Sequence, residues 1–385
     1  VISLGEVRFR SNPLVELKRL DELDAEERQP FLPLQNDPEF HGLLVPRPPL
    51  TMNIKSVERP TATIFRSLTT PARLDRAWLG DSEDVDDIVD LVLDGFLEIE
   101  SSDGFVSGAD AFLFLFPSLG DVVFRDAAAR LSRDALLHAQ DLETSHATAL
   151  ATALYYYNRI PMTPFWKARL PDRNAVRAHL GIDRGPLRLL LEREWIEITQ
   201  EKPDGWLSWA SRTDGPDEPD RVGYKLYISP RPEQIRDVFE TVVRVLSEFP
   251  GLVFKVGDDA SGILRSEKLV AYFTDRKALD EAAALLRREL SGCAAHGVPF
   301  TAGFDGSGLL SWGVDPPKNP LPLPWITGES WRQWITRQLG PALSIAKLAR
   351  TAAAVEPWRF AMERVRRAGV DVETWTPTPS LWGLS

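Results

Sequence analysis

Residues Tyr224–Glu233 read "YKLYISPRPE", an alternating stretch halted by Pro-x-Pro. At the two-residue period of a strand, Leu226 and Ile228 face one side, and Lys225 and Tyr227 face the other. The apolar face marks the strand as internal, and a lysine beside a tyrosine on its second face asks for a reason. The segment that follows, "PEQIRDVFETVVRVLSEF", has the spacing of an amphipathic helix, with Pro232 near its start and Glu233 in its first turn. Strands "GLVFKVG" and "KLVAYFT" come next, then the helix "DRKALDEAAALLRRELSG". A strand, a crossover helix and a strand of this length predict a right-handed parallel unit with Lys225 and Lys255 on one sheet. Further on lie "PFTAGFDGSGLLSWGVDPP", a proline-rich loop, and helices from about Glu329 to Ala368.

Upstream the pattern differs. Residues 1–50 are proline-rich and short of periodicity, which predicts an irregular arm. Residues 51–120 read as a short strand (Met52 to Val57), the helix "TATIFRSL", the helix "DVDDIVDLVLDGF" and a hairpin, "LEIESSDGFVSG", turning at "SSDG". Helix, helix, hairpin is the outline of a winged-helix element, read either as a structural cap or as a peptide-recognition element like those that pair a leader-peptide strand in peptide-modifying enzymes. The apolar stripe Val85, Ile88, Val89, Val92 and Leu93 leaves the aspartates on the solvated face. Residues 121–205 predict a helical region, in which consecutive Tyr155, Tyr156 and Tyr157 spread around a helix and cannot stack as one ladder. "EKPDGWLSWASRTDGPDEPDRVG" is rich in turn formers and charge and marks a boundary or a hairpin-bearing loop. Residues 223–385 then form the last domain. The class is α+β, with a carboxy-terminal mixed sheet flanked by helices behind a mainly helical amino-terminal region.

The 385 residues carry 45 Lys+Arg and 56 Asp+Glu, a net charge of -11, which disfavours a nucleic-acid partner. No run nears the ~18 apolar residues of a membrane span, so a soluble chain with no membrane partner is expected. The start, "VISLGEVRFR", has no basic-then-apolar signal pattern. Cys293 is the only cysteine, which excludes a disulfide framework and a cysteine-based zinc site and fits a reducing, cytoplasmic setting. The five histidines are scattered without an i, i+4 pair, and no metal is expected.

Three predicted strands each carry a basic residue in an apolar setting: Lys225, Lys255 in "VFKVG" and Lys268 in "EKLVAYF", with Arg265 just ahead of the last. Lysines are among the residues least often buried, so cations on adjoining strands suggest a site for an anion. A lysine at a strand end that snorkels to water explains any one of them alone. The conjunction is what favours a site.

From about Tyr224 to Trp375 the chain resembles the HopA-type effector family. More distantly it is similar to the bacterial phosphothreonine lyase effectors and to the lyase domains of class III and class IV lanthipeptide synthetases. The resemblance rests on "YKLYISPRPE", "FKV", "LRSEKLVAYF", "VPFTAGFDGSG" leading to "SWG", and "RRAGVDVETWTP", in family order. HopA-like proteins also occur in gene clusters for class V lanthipeptides and thioamitides, where they are associated with eliminating phosphate from phosphorylated peptides.

The resemblance implies a phosphothreonine-lyase-like fold and a β-elimination with no cofactor. A base removes the Cα proton of phosphoserine or phosphothreonine, phosphate leaves Cβ, and dehydroalanine or dehydrobutyrine remains in a ribosomal precursor peptide. Such chemistry needs a neutral base and positive charge to counter the enolate, and a lysine flanked by cations meets the first need. By the same resemblance Lys255 is the base, Lys225 stabilises the enolate or carries the phosphate, and Arg265 binds phosphate through its planar fork of donors. Lys268 matches a lysine on the same strand in the lanthipeptide enzymes. Tyr227 departs from the pattern: related lyases have there the histidine of Lys-x-His, their general acid, and a phenol of pKa ~10 is a poorer acid at neutral pH. It reads equally as the acid and as a structural residue. The further phosphate-binding arginines of the effector lyases have no counterpart in "GFDGSGLLSWG". Ser311 and Trp312 match a Ser-aromatic-Gly stretch, read as a tight strand end beside a packed ring, and His296 reads as an exposed loop histidine.

The chain has no His-Arg-Asp, no Asp-Phe-Gly and no glycine-rich loop ahead of a strand lysine, so phosphorylation comes from elsewhere. The implied partners are a phosphorylated precursor peptide and a separate Ser/Thr kinase-like protein. Two alternatives stand beside the lyase: a non-catalytic subunit that holds the phosphorylated or leader part of a peptide, and an effector acting on host proteins.

Overall fold

The computed structural model describes residues 4–50, 52–75, 78, 82–102, 104–117, 120, 122–199, 205–213, 223–304, 306–317, 329–350 and 355–383. Its first part runs β1 (Arg8–Ser11), β2 (Val15–Lys18), α1 (Ala25–Arg28), β3 (Gly42–Pro46), β4 (Lys55–Val57), α2 (Arg59–Ser67), β5 (Ala72–Arg73), α3 (Ser82–Leu93), β6 (Leu97–Ser101), β7 (Gly104–Val106) and α4 (Gly108–Leu115). Helices α2 and α3, with β5 between them, precede the β6–β7 hairpin. The turn residue Asp103 lies outside the described residues. The first 50 residues are not an irregular arm, however. β1 pairs with β5 and β6 in a sheet of order β5-β1-β6-β7, and β2 and β3 join β4 in a second sheet. Phe9 is fully buried between Arg8 and Arg10, a strand alternation that the density of prolines outweighed in the sequence.

The middle of the chain is helical: α5 (Ala127–Asp141), α6 (Ala147–Tyr155), α7 (Pro164–Arg169), α8 (Arg173–Leu180) and α9 (Gly185–Glu194). The main sheet begins before Tyr224, with β8 (Trp195–Glu197) and β9 (Trp206–Ser211). It continues through β10 (Tyr224–Ile228), α10 (Ile235–Leu246), β11 (Val253–Gly257), α11 (Ala260–Leu264), β12 (Leu269–Phe273), α12 (Arg276–Glu289), β13 (Ala302–Gly303) and β14 (Leu310–Val314). α13 (Trp331–Lys347), α14 (Pro357–Arg367), β15 (Val370–Asp371) and β16 (Thr376–Pro377) close the chain. The class is α+β.

The seven strands lie in the order β13-β14-β10-β12-β11-β9-β8, and each adjacent pair is antiparallel. This corrects the mixed sheet with a parallel β10–β11 unit. The two strands run in the same direction, but β12 lies between them and opposes both. The helix α10 is long enough to carry the chain across one strand width as readily as to the next position, and its length alone cannot tell the two apart.

The two faces of this sheet differ. Leu226, Ile228, Phe254, Val256, Leu269 and Ala271 are buried against α10 and α12. On α10, Ile235, Val238, Phe239, Val242, Val243 and Leu246 recur at helical spacing on the buried side. Each such side chain contributes about 1.5–3 kcal/mol when fully buried, so this face anchors the sheet. The opposite face carries Lys225, Tyr227, Lys268, Val270 and Tyr272, and α6 and the start of α13 reach toward it through Tyr155 and Arg332, both bonded to Glu267. Those two helices touch closely: a Cβ on Gly340 would sit 2.5 Å from the Ala147 carbonyl oxygen and 2.8 Å from the Ala151 Cβ. No described helix is long and apolar enough to cross a membrane.

Candidate active site

Pairing register sets the layout. Tyr227, Val270 and Lys255 stand opposite one another across β10, β12 and β11, and Lys225, Tyr272 and Val253 form the next row. Side chains two apart share a face, so both predicted catalytic lysines and Tyr227 do come together on one side of the sheet. The Lys225 Nζ lies 2.7 Å from Asp315 Oδ2 and 5.0 Å from the centroid of the Tyr272 ring. The half-buried Lys255 sits 5.2 Å from the same ring and 4.1 Å from that of Trp206. Tyr272, on the central strand, thus keeps company with both ammonium groups.

Arg265 joins them from the end of α11. Its guanidinium carbon lies 3.7 Å from the Trp206 centroid, so Lys255 and Arg265 share one indole. Each such contact is worth about 0.5–2 kcal/mol, depending on solvation. The Arg265 Nε donates to the Glu267 carbonyl at 2.6 Å, while its Nη2 is buried with no hydrogen-bond partner. Burial pulls the guanidinium below its ordinary value, with Glu267 opposing.

Tyr227 is fully buried beside Val270 and Val298, and its hydroxyl has no partner either. Burial, then Glu267 and Asp315, push the phenol well above its ordinary value. It is a neutral donor rather than a source of phenolate.

Two carboxylates balance the cations, and neither stood out in the sequence. Glu267 pairs with Arg332 at 2.8 Å, both almost fully buried. Burial alone would raise the Glu267 carboxyl, but Arg332, Arg265 and Lys225 outweigh it and hold it below the usual carboxylate value. Arg332 also donates to the carbonyls of Pro299 and Tyr155, at 3.1 and 2.8 Å. The Tyr155 hydroxyl donates to Glu267 at 3.4 Å, and burial and Glu267 push it up to about 12. Arg332 owes its place to the start of α13: Ser330 and Gln333 form a capping box, and the Trp331 N–H donates to Asp315 Oδ1 at 2.9 Å. Arg332 therefore spends its Nε, Nη1 and Nη2 on Pro299, Glu267 and Tyr155.

Lys268 shares the face but takes another course. Fully buried, it lies 3.4 Å from the Ser229 hydroxyl and 2.6 Å from His296 Nδ1. The His296 Nε2 is 2.6 Å from the Asn158 carbonyl, so that nitrogen carries the proton, and Nδ1 accepts from Lys268. Burial, then Arg231 and Arg265, drive Lys268 well below its ordinary value, and burial with Lys268 brings His296 down to about 3. His296 is thus not an exposed loop residue: its loop is pinned by a bridge between Pro230 and Ala295 and by the Ser229 carbonyl, which accepts from the His296 N–H. Ser311 is buried and accepts from Thr301 at 2.8 Å, and Trp312 packs beneath Arg276, as a tight strand end with a packed ring should.

No protein-family model and no curated protein matches the chain. Among solved structures it is similar to the effector protein from Pseudomonas syringae pv. tomato strain DC3000, at 12% identity over 65% of this chain and 98% of that one, with a TM-score of 0.36. It is also similar to the effector protein from Pseudomonas syringae pv. syringae strain 61, at 13% identity over 65% and 99%, with a TM-score of 0.35. The reading of the site rests on the side chains described above.

Proposed function

We propose that this chain is a lyase that eliminates phosphate from phosphoserine or phosphothreonine in a precursor peptide phosphorylated by a separate kinase. One observation carries the reading: two buried donors lack partners, the Tyr227 hydroxyl on the sheet face that holds Lys225 and Lys255, and Arg265 Nη2 on the guanidinium that shares the Trp206 ring with Lys255. A buried donor left unpaired costs about 1–3 kcal/mol, and an acceptor-rich guest relieves that cost. A phosphate offers oxygens enough for both.

In this reading Lys255, once its ammonium has given up a proton to solvent, takes the Cα proton, and the electron pair released forms the Cα–Cβ double bond. The Cβ–O bond breaks and phosphate departs with its electrons. Lys225 opposes charge on the substrate carbonyl oxygen, Arg265 holds the phosphate, and the Tyr227 hydroxyl donates a hydrogen bond to the leaving oxygen. Lys255 then returns its proton to solvent. The sequence resemblance to HopA-type proteins and to the lyases of lanthipeptide synthesis supports the same assignment.

A second reading has its own support. Glu267 and Asp315 already sit on Arg332 and Lys225, and the raised Tyr227 phenol is a reluctant acid. A site so balanced also suits a subunit that holds a phosphopeptide without breaking it. The two separate on incubation with a phosphothreonine peptide, followed by mass, with Lys255→Ala alongside. Loss of phosphoric acid by wild type and not by the variant supports the lyase; binding with the phosphate retained, even beside the native kinase, rejects it.

A further inference from the structure

A groove runs along the flank of α13. Two adjoining cavities, of about 820 Å³ and 320 Å³, share Met52, Asn53, Ile54, Arg337 and Pro341 and so form one channel. Between Gln333 and Ile345, which line it, α13 advances about 18 Å. That is the span of about five or six extended residues.

The wall facing α13 is Met52–Ile54, which leads into β4, the outer strand of its sheet. Beyond the β3–β4 ladder, no backbone hydrogen bond joins these three residues to another described residue. An edge with open N–H and C=O groups is a template for one more strand. Apolar surface lies alongside, with Ile54 36% and Tyr156 51% exposed. Charges on the walls are already matched, Arg337 by Glu329 and Arg364 by Asp90 and Asp94. The groove therefore favours backbone and apolar side chains over a charged guest. Tyr155 is also a wall residue, and its hydroxyl donates to Glu267, so one side chain connects the groove with the carboxylate beside the sheet face.

We infer that this groove holds an extended, weakly charged stretch of the substrate peptide, paired backbone to backbone with Met52–Lys55, and so delivers the phosphorylated residue to the sheet face. The inference rests on the phosphopeptide reading given above.

Fluorescence anisotropy with two labelled synthetic probes tests it. The short probe is a phosphothreonine with a few alanines on either side; the long one extends it on both sides by about eight alternating valines and serines, more than the groove can span. Wild type should bind the long probe about tenfold more tightly. Ile54→Pro removes an N–H from the edge, and Thr152→Trp fills the channel from an exposed position. Each should reduce the long probe to the affinity of the short one and leave the short one unchanged. Equal affinity for both probes in wild type, no binding of the long probe, or a loss of both probes together in the variants overturns the inference. So does a concentration-dependent dimer in sedimentation that Thr152→Trp dissolves, which would assign the groove to a second copy. Failure of the lyase reading looks different: the length advantage persists, and the bound probe keeps its phosphate.

Discussion

A single carboxylate, that of Asp315, ties Lys225 to the start of α13: Oδ2 faces the lysine at 2.7 Å, and Oδ1 accepts the Trp331 N–H at 2.9 Å. The lysine proposed to meet the substrate is thus already met by an internal anion.

Asp315→Asn keeps the acceptor for Trp331 and removes the charge beside Lys225. Stability should fall by about 1–3 kcal/mol in urea titrations, the loss of one charge-assisted hydrogen bond. Affinity for a phosphothreonine peptide should rise several-fold. Weaker binding would mean that Asp315 holds Lys225 in place instead of competing with phosphate.

Glu267 and Arg332 are buried together, so removing one leaves the other uncompensated. Arg332→Met should destabilise by about 3–5 kcal/mol. The double variant Arg332→Met with Glu267→Leu should recover most of that loss, because an apolar pair no longer strands a charge. Denaturation midpoints of the two single variants and the double give the coupling directly.

Tyr227→Phe deletes a hydroxyl that has no partner in the free protein. The variant should be as stable as wild type or up to about 1 kcal/mol more stable. Turnover of a phosphothreonine peptide should drop with little change in binding; unchanged turnover would leave the hydroxyl no part in the elimination.

The His296 imidazole protonates near ~6.5 in an unfolded chain, but only near about 3 when folded. Between those values the unfolded state binds more protons, so stability falls as the pH drops through the window and is insensitive to His296 above it. Lys268, held below its ordinary value, acts in the same sense at higher pH. Glu267, held below the usual carboxylate value, adds a loss at the acid end as the pH falls through its folded value. His296→Gln should flatten the dependence of the urea midpoint between about pH 6.5 and 4.

Alternation in "YKLYI" was enough to put Lys225 and Tyr227 on one face of their strand, because strand period survives without knowledge of neighbours; that Lys255 shares this face follows only from the register across β12. Neighbour order is a tertiary property, and nothing within "KLVAYF" says that it inserts between the other two strands. Glu267 and Asp315 were legible as residues but not as partners, since their meaning depends on α13, some sixteen positions beyond Asp315 at Trp331. Arg332 was hidden for a related reason: a charged residue in a tryptophan-rich helix reads as its polar side until a carboxylate is found beneath it. The strands β1 to β3 were lost to prolines that in fact lie between them and at their ends.

The place of β12 makes the site unusually intolerant of length change. Its residues Leu269, Ala271 and Phe273 fill the core, while Val270 and Tyr272 share a face with Lys225 and Lys255, and Lys268 just ahead of them lies against Ser229 and His296. Deleting one residue just ahead of this strand, with pairing kept, would exchange the two sets: an ammonium and a phenol would enter the core, and the ring shared by Lys225 and Lys255 would be gone. Point substitutions here are graded, but a one-residue indel is all or nothing, so natural variation in length should be absent from this segment and collect in the connections around it.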